Sequence, residues 1–306
     1  MNTTRIGIIG LGNMGGRMAR RMLAAGIDVL GYDAAPGRAA AAGARAAASV
    51  KEVVEFADVV LFSLPDSKVI EAVVEGAEGV LAACRAGQTV IDLSTAAASS
   101  SIRLNGLFRE CGVHFIDAGI SGGPAAADKG TLTLMVGGDA ASIEAVAWVF
   151  KPISAKVLNM GASGAGHSTK LLNNFLNAVS LAATAEIMVA GNKAGLDPHL
   201  LLEVLNSSSG VSYATQTRFP KIVDGDYIEG GLTSRLMTKD VVLYLELVRE
   251  LGVASLNSAG PLASFGLACA LGYGDQVSNR VVDAIGDVSG GIRVQVKLKL
   301  STGGDK

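Results

Sequence analysis

Ile6-Gly7-Ile8-Ile9-Gly10-Leu11-Gly12-Asn13-Met14-Gly15 decides how this chain of 306 residues folds. Ile6 to Ile9 is a short, apolar, β-branched run, as expected of a parallel strand buried on both faces. Gly16 to Ala25 follows with Met18, Met22 and Ala25 on one side and Arg17, Arg20 and Arg21 around the other, which predicts an amphipathic helix ended by Gly26. A second strand, Asp28 to Tyr32, ends in Asp33. Strand, glycine turn, helix, strand and acid is the context in which a G-x-G-x-x-G pattern signals a dinucleotide site. Gly10 permits the tight turn, Gly12 lets the backbone approach a pyrophosphate, and Gly15 lets helix and strand pack closely. Leu11, Asn13 and Met14 complete that cofactor loop, and the pyrophosphate would sit at the positive end of the helix. Asp33 stands at about the 20-residue distance where an acid accepts a ribose hydroxyl; its charge repels a 2′-phosphate, so NAD is expected over NADP. Arg38 reads as a surface arginine at a helix start.

Further strands run outward from this unit. Asp58 to Leu64 ends in Ser63-Leu64-Pro65-Asp66, and Thr89 to Leu93 ends in Ser94-Thr95. The ligand crevice of an open α/β sheet lies at the carboxyl ends of its strands, so Leu64, Pro65 and Thr95 are expected to line the cofactor. Ser94 and Thr95 also read as the N-cap of a helix, Ala96 to Glu110. Val113 to Ala118 leads into Gly119-Ile120-Ser121-Gly122-Gly123-Pro124, a loop whose hydroxyl and consecutive N–H groups would form an anion-binding concavity. Thr131 to Val136 and Lys156 to Asn159 complete the sheet.

Gly164-Ala165-Gly166-His167-Ser168-Thr169-Lys170-Leu171-Leu172-Asn173-Asn174 opens a helical run to Lys193. Lys170 and Asn174 fall a turn apart on one face. Beyond it the strand pattern disappears, and Asp197–Leu205, Tyr213–Val223, Ser234–Leu251, Ala259–Leu271 and Asp275–Val288 read as helices between glycine turns. The expected architecture is an α/β Rossmann-type N-terminal domain over residues 1–162 and an all-α C-terminal domain over 163–292, joined by a long interdomain helix. A tail, residues 293–306, reads as a peripheral strand or a disordered end.

With 26 basic and 28 acidic residues and a net charge of −2, the chain has no field to draw in nucleic acid, so small molecules are the expected partners. The mean hydropathy of +0.40 owes much to alanine. No run of ~20 uninterrupted apolar residues marks a membrane span, and Met1 to Arg5 carries no secretory signal, so a cytoplasmic location is expected. Cys84, Cys111 and Cys269 are far apart in sequence and read as buried apolar fillers in a reducing compartment. His114, His167 and His199 are equally scattered, so no metal site is expected.

Four motifs together resemble the β-hydroxyacid dehydrogenases, the group that holds 3-hydroxyisobutyrate dehydrogenase, tartronate semialdehyde reductase and, more distantly, 6-phosphogluconate dehydrogenase. They are Ile8 to Gly15, Asp117-Ala118-Gly119-Ile120-Ser121-Gly122-Gly123, Gly164 to Asn174, and the Lys239-Asp240 pair. The resemblance spans roughly Arg5 to Val288. It implies NAD(P)-dependent oxidation of a small 3-hydroxy acid to its semialdehyde, or the reverse reduction. Residue by residue it implies that Ser121, Gly122 and Gly123 clamp the substrate carboxylate and that Lys170 is the general acid/base. Asn174 is then a substrate-orienting group, and Lys239, with Asp240 beside it, a residue near nicotinamide and substrate. Relatives of this kind are homodimers or homotetramers. A lysine exchanges protons near neutrality when burial or a nearby cation such as Lys239 lowers its pKa.

Two positions depart from the family pattern. Gly119 stands where proline is usual, which implies a looser clamp loop or one shaped for another substrate, and Leu232 replaces an aromatic residue, which implies more room. Other readings of the scaffold are an NADPH-dependent semialdehyde or imine reductase, a non-catalytic binding module, and a phosphosugar dehydrogenase. The presence of Lys170 argues against an imine reductase and a binding module; a phosphosugar enzyme would need extra basic groups, for which Arg218 and Arg235 are the candidates.

Overall fold

A computed structural model describes residues 5–295. Eight strands alternate with the first nine helices: β1 (Ile6–Ile9), α1 (Gly15–Ala24), β2 (Val29–Tyr32), α2 (Arg38–Ala41), β3 (Arg45–Ala46), α3 (Val50–Phe56), β4 (Val59–Phe62), α4 (Ser67–Glu75), α5 (Val80–Ala83), β5 (Thr89–Asp92), α6 (Ala98–Glu110), β6 (His114–Ser121), α7 (Gly123–Lys129), β7 (Leu132–Gly137), α8 (Ala140–Ala145), α9 (Ala147–Phe150) and β8 (Ser154–Gly161). There follow α10 (Ala165–Lys193), α11 (Pro198–Ser207), α12 (Phe219–Val223), α13 (Ser234–Glu250), α14 (Ala259–Ala268) and α15 (Val281–Val288).

The strands form one sheet in the order β3-β2-β1-β4-β5-β6-β7-β8. All neighbours are parallel except β6 and β7. With β2 on one side of β1 and β4 on the other, the order reverses at β1, and the loops after β1 and β4 flank that switch point. Residues of β1 and β4 are buried throughout because helices cover both faces. One face packs Met18 and Met22 of α1, Ala127 of α7 and Phe150 of α9; the other packs Val53 of α3, Ile70 of α4 and Phe108 of α6. Helix α3 lies directly on β1, for a Cβ at Gly7 would come within 2.5 Å of Val53 Cγ1.

The chain divides inside α10: one compact unit ends at Leu172 and includes Arg249–Leu251, while the other runs Asn173–Val248 and resumes at Gly252. Ala178, Leu181, Ala185, Met188 and Val189 of α10 enter the core of the second unit with Phe219, Met237, Val241 and Phe265. By length and composition alone α10 could cross a membrane; here its apolar face is core. Among the described residues beyond α10, the β-structure is the isolated Thr233–Val277 bridge. The expected Rossmann-type sheet followed by a helical region is borne out.

Several local expectations need correction. β6 does not stop at Ala118; it continues through Gly119 and Ile120 to Ser121, because β7 pairs with this second half while β5 pairs with the first. Gly119 is therefore a strand residue opposite Met135, not part of a loose loop. Tyr213 to Val223 is not one regular helix: Ala214–Arg218 winds as a wider π-type turn before α12, since Pro220 has no N–H for an α-helical bond. The cysteines are not buried fillers. Cys111 is exposed and Cys84 partly so, and their loops meet where Gly87 N–H donates to Gly112 O at 2.9 Å. Burial, then Cys111, pushes the Cys84 thiol above its usual range. In the tail, Arg293–Gln295 forms no strand and Val294 is buried; residues 1–4, where a signal was sought, and the tail from 296 lie outside the described residues.

Gly7→Val should crowd α3 off β1 and lower stability by about 1–3 kcal/mol. Urea denaturation with an unchanged m-value checks this, and a midpoint equal to the parent's would remove the close-packing argument.

Candidate active site

The cofactor loop is built by exclusion. Gly10 has φ +93° and carries no Cβ because one would sit 2.3 Å from Ser63 O. A Cβ on Gly15 would lie 2.1 Å from Gly10 O, so the first turn of α1 is pressed onto the end of β1. Gly12 differs: nothing stands within 4 Å of its Cβ direction. Met14 at the N-cap makes no side-chain cap, and the first turn of α1 holds no acid. The start of α1 is therefore neither capped by the Met14 side chain nor opposed by an acid, which suits a pyrophosphate. The residues present fit a dinucleotide.

Asp33 is pinned against this loop. Leu11 N–H donates to its Oδ2 at 2.7 Å and Ala35 N–H to its Oδ1 at 2.8 Å. Each carboxylate oxygen keeps a further lone pair for a hydroxyl. Asn13 Oδ1 accepts from Arg17 Nε at 3.1 Å, and Arg17 in turn pairs with Asp128 of α7. Arg38, exposed, is the first residue of α2. Leu64 and Pro65 follow β4, and Leu64 N–H donates to Ser94 Oγ at 2.9 Å, which ties the loops after β4 and β5 together. That bond corrects the N-cap expectation for Ser94 and Thr95: α6 starts at Ala98 and is capped by neither.

The strand that ends at Ser121 also supports Lys170. A Cβ at Gly119 would come within 2.5 Å of Lys170 Cβ, so the lysine's stem stands directly over β6, two residues before Ser121. Lys170 is 8% exposed. Ser121 is half-buried and Gly122 and Gly123 are exposed; both glycines have positive φ, and Gly123 faces open space. Beneath this turn lies a polar cluster that the motifs did not reveal. Asp117, fully buried, accepts from Gly164 N–H at 2.6 Å and His167 N–H at 2.8 Å. His167 Nδ1 is 2.7 Å from Ser101 Oγ on α6. Asp92, level with Asp117 in the sheet, accepts from Ser94 N–H at 3.0 Å. Burial, with Asp117 alongside, pushes its carboxyl above the usual range against the opposing pull of His167. The signal available in the sequence was an acid within each of two otherwise apolar strands.

In the second unit Asn174, 5% exposed, donates from Nδ2 to Asp240 Oδ2 at 2.6 Å. Lys239 Nζ lies 3.4 Å from Asp240 Oδ1. Asp240 is 1% exposed, so it holds its two neighbours and does not itself face solvent. Phe175 stacks on Tyr244 beside this pair. Leu232 is partly buried against the unit's core. Arg218 donates to Asn279 Oδ1 at 2.8 Å, and Arg235 pairs with Asp275 at 3.0 Å, so both are engaged within their own unit. A cavity of about 330 Å³ lined by Arg109, His114 and Ser142 contains none of the expected site residues; it opens at the amino end of β6, away from the switch-point loops.

Two family models match the chain. The NAD-binding domain of 6-phosphogluconate dehydrogenase matches residues 5–161, and the NAD-binding domain of NADP-dependent 3-hydroxyisobutyrate dehydrogenase matches residues 164–284. Among similar proteins, 2-(hydroxymethyl)glutarate dehydrogenase of Eubacterium barkeri is 36% identical, over 91% of this chain and 93% of its own length. The NAD-dependent L-serine dehydrogenase of Pseudomonas aeruginosa is 37% identical, over 86% and 90%. The solved structure of Mycobacterium tuberculosis 3-hydroxyisobutyrate dehydrogenase with L-serine superposes with a TM-score of 0.83 at 31% identity, covering 92% of this chain and 98% of that one. With the glycine loop after β1, the pinned acid and the buried lysine packed over β6, these matches make the chain a member of the β-hydroxyacid dehydrogenase family of NAD(P)-dependent oxidoreductases.

Proposed function

We propose that the chain oxidises a 2-substituted 3-hydroxypropanoate to the corresponding semialdehyde with NAD, or runs the reverse reduction, with Lys170 as the proton carrier. The observation that supports it most is the buried Lys170, its stem packed over the strand that ends in Ser121-Gly122-Gly123. Substrate class is supported by chemistry that three of the relatives' names share: 2-(hydroxymethyl)glutarate, L-serine and 3-hydroxyisobutyrate each carry a hydroxymethyl group on the carbon next to a carboxylate. A carboxylate held by the Ser121 hydroxyl and the Gly122 and Gly123 N–H groups would leave that hydroxyl one carbon further on, within reach of a long amine from the same side of the sheet.

When bound, the nicotinamide accepts or returns the hydride. Lys170 handles the proton. In oxidation the neutral amine takes the hydroxyl proton as the C–H bond breaks; in reduction the ammonium gives a proton to the carbonyl oxygen. Within the second unit Asp240 sets the amide direction of Asn174 and pairs with Lys239, the residues that the family resemblance gives to substrate binding. The NAD preference rests on Asp33, whose carboxylate is fixed at the loop by two backbone donors and would meet a 2′-phosphate with like charge.

Lys170→Ala should lose about 10²–10⁴-fold in turnover, the usual worth of a positioned acid/base, while NADH fluorescence titration shows binding within twofold of the parent. Turnover that survives the substitution would take Lys170 out of the chemistry. Asp33→Ala should narrow the NAD-to-NADP ratio of kcat/KM by at least about tenfold, a change of roughly 1.4 kcal/mol in discrimination. A ratio that stays constant would place cofactor choice elsewhere.

A further inference from the structure

The turn that carries Lys170 is held by a buried side chain outside the proposed clamp, Asp117. An α-helix begins with N–H groups that have no partner in the helix, and α10 begins inside the protein, where such groups must find acceptors. Gly164 N–H and His167 N–H both find one in Asp117, one on each carboxylate oxygen. Asp117 stands on β6, four residues before Ser121 in the same strand. The remaining contacts leave the turn little freedom. A Cβ on Gly166 would lie 2.5 Å from Asp117 O and 2.5 Å from Met135 O, so the helix rests on the backbones of β6 and β7. Gly119, next on the same face as Asp117, leaves room for the stem of Lys170 itself. His167 is tethered from the other side by Ser101.

We infer that Asp117 is a positioning residue that sets the place of Lys170 relative to the Ser121 clamp by holding the first turn of α10 on β6, with Gly119 fixing how closely the lysine's stem approaches. The inference rests on the acid/base reading of Lys170. Its physical content is that proton transfer demands close geometry: a misplacement of about 1 Å can cost on the order of 10²-fold in rate. Removing Asp117 frees the turn without touching substrate or cofactor.

The test compares Asp117→Ala, Asp117→Asn, Gly119→Ala and Lys170→Ala as purified full-length proteins. Hydrogen exchange is followed in a peptide covering residues 163–170, with NADH titration and steady-state kinetics on a hydroxy acid that the parent oxidises. Asp117→Ala should speed exchange in that peptide about tenfold or more and lower kcat by about 10- to 100-fold, with NADH affinity within twofold and KM for the hydroxy acid little changed. Asp117→Asn, with one acceptor oxygen left, should fall between parent and alanine variant. Gly119→Ala keeps both hydrogen bonds but displaces the lysine's stem, so it should lose kcat with little change in exchange; it tests the inference even if Asp117→Ala does not fold. A kcat equal to the parent's in both Asp117→Ala and Gly119→Ala overturns the inference, as does a loss fully accounted for by a smaller NADH-binding fraction. If that result comes with an inactive Lys170→Ala, positioning alone has failed; if Lys170→Ala itself turns over normally, the acid/base reading has failed and the inference with it.

Discussion

Two peptide N–H groups at the start of α10 end on one buried carboxylate, and the packing of that helix on β6 and β7 depends on the join. A helix terminus within a protein is costly unless its donors are satisfied, and an anion there is favoured twice over, by hydrogen bonding and by the helix dipole. Asp117 answers both demands from a strand. The effect is that a helix carrying an amine and a strand ending in a hydroxyl and two exposed glycines are fixed together. Neither element by itself would hold the stem of Lys170 at a definite distance from Ser121.

Glycine does two opposite jobs in this architecture. At Gly10, Gly15, Gly119 and Gly166 the protein's own atoms occupy the place of a side chain, so each marks a close approach between elements. At Gly12 and Gly123, as at several turn glycines, that place is open and the backbone is accessible. The first group builds the scaffold, and the second leaves it accessible. In the second unit the burden falls on side chains: Asp240, almost wholly buried, orients the Asn174 amide with one oxygen and draws Lys239 to the other. The buried carboxylate positions its neighbours.

Much of this was legible in the amino-acid order. The run Ile6 to Ile9, the spacing of Gly10, Gly12 and Gly15, and the acid at Asp33 specify a dinucleotide unit because each reports a local requirement: burial on both faces, positive φ, close packing. The lysine at 170 was legible through its motif. Ser94 was misread as a helix cap because a serine before a helical run looks the same whether it serves that helix or, as here, a neighbouring loop through Leu64. The end of β6 was placed at Ala118 because the glycine that follows suggests a turn, whereas pairing with β7 decides where a strand stops.

By itself, then, the sequence determined the fold class and the nicotinamide-binding unit and offered Lys170 as the candidate amine, all of which depend on neighbours within a few residues or on a known spacing. Only the tertiary structure decided that Asp117 grips α10, that Gly119 lies beneath Lys170, that Asp240 serves Asn174, and that Cys84 and Cys111 belong to neighbouring loops. Those pairings join residues from separate strands and helices. Long-range contact is set by how whole elements pack, and the letters at either end of such a contact look no different from those of an ordinary surface acid or a turn glycine.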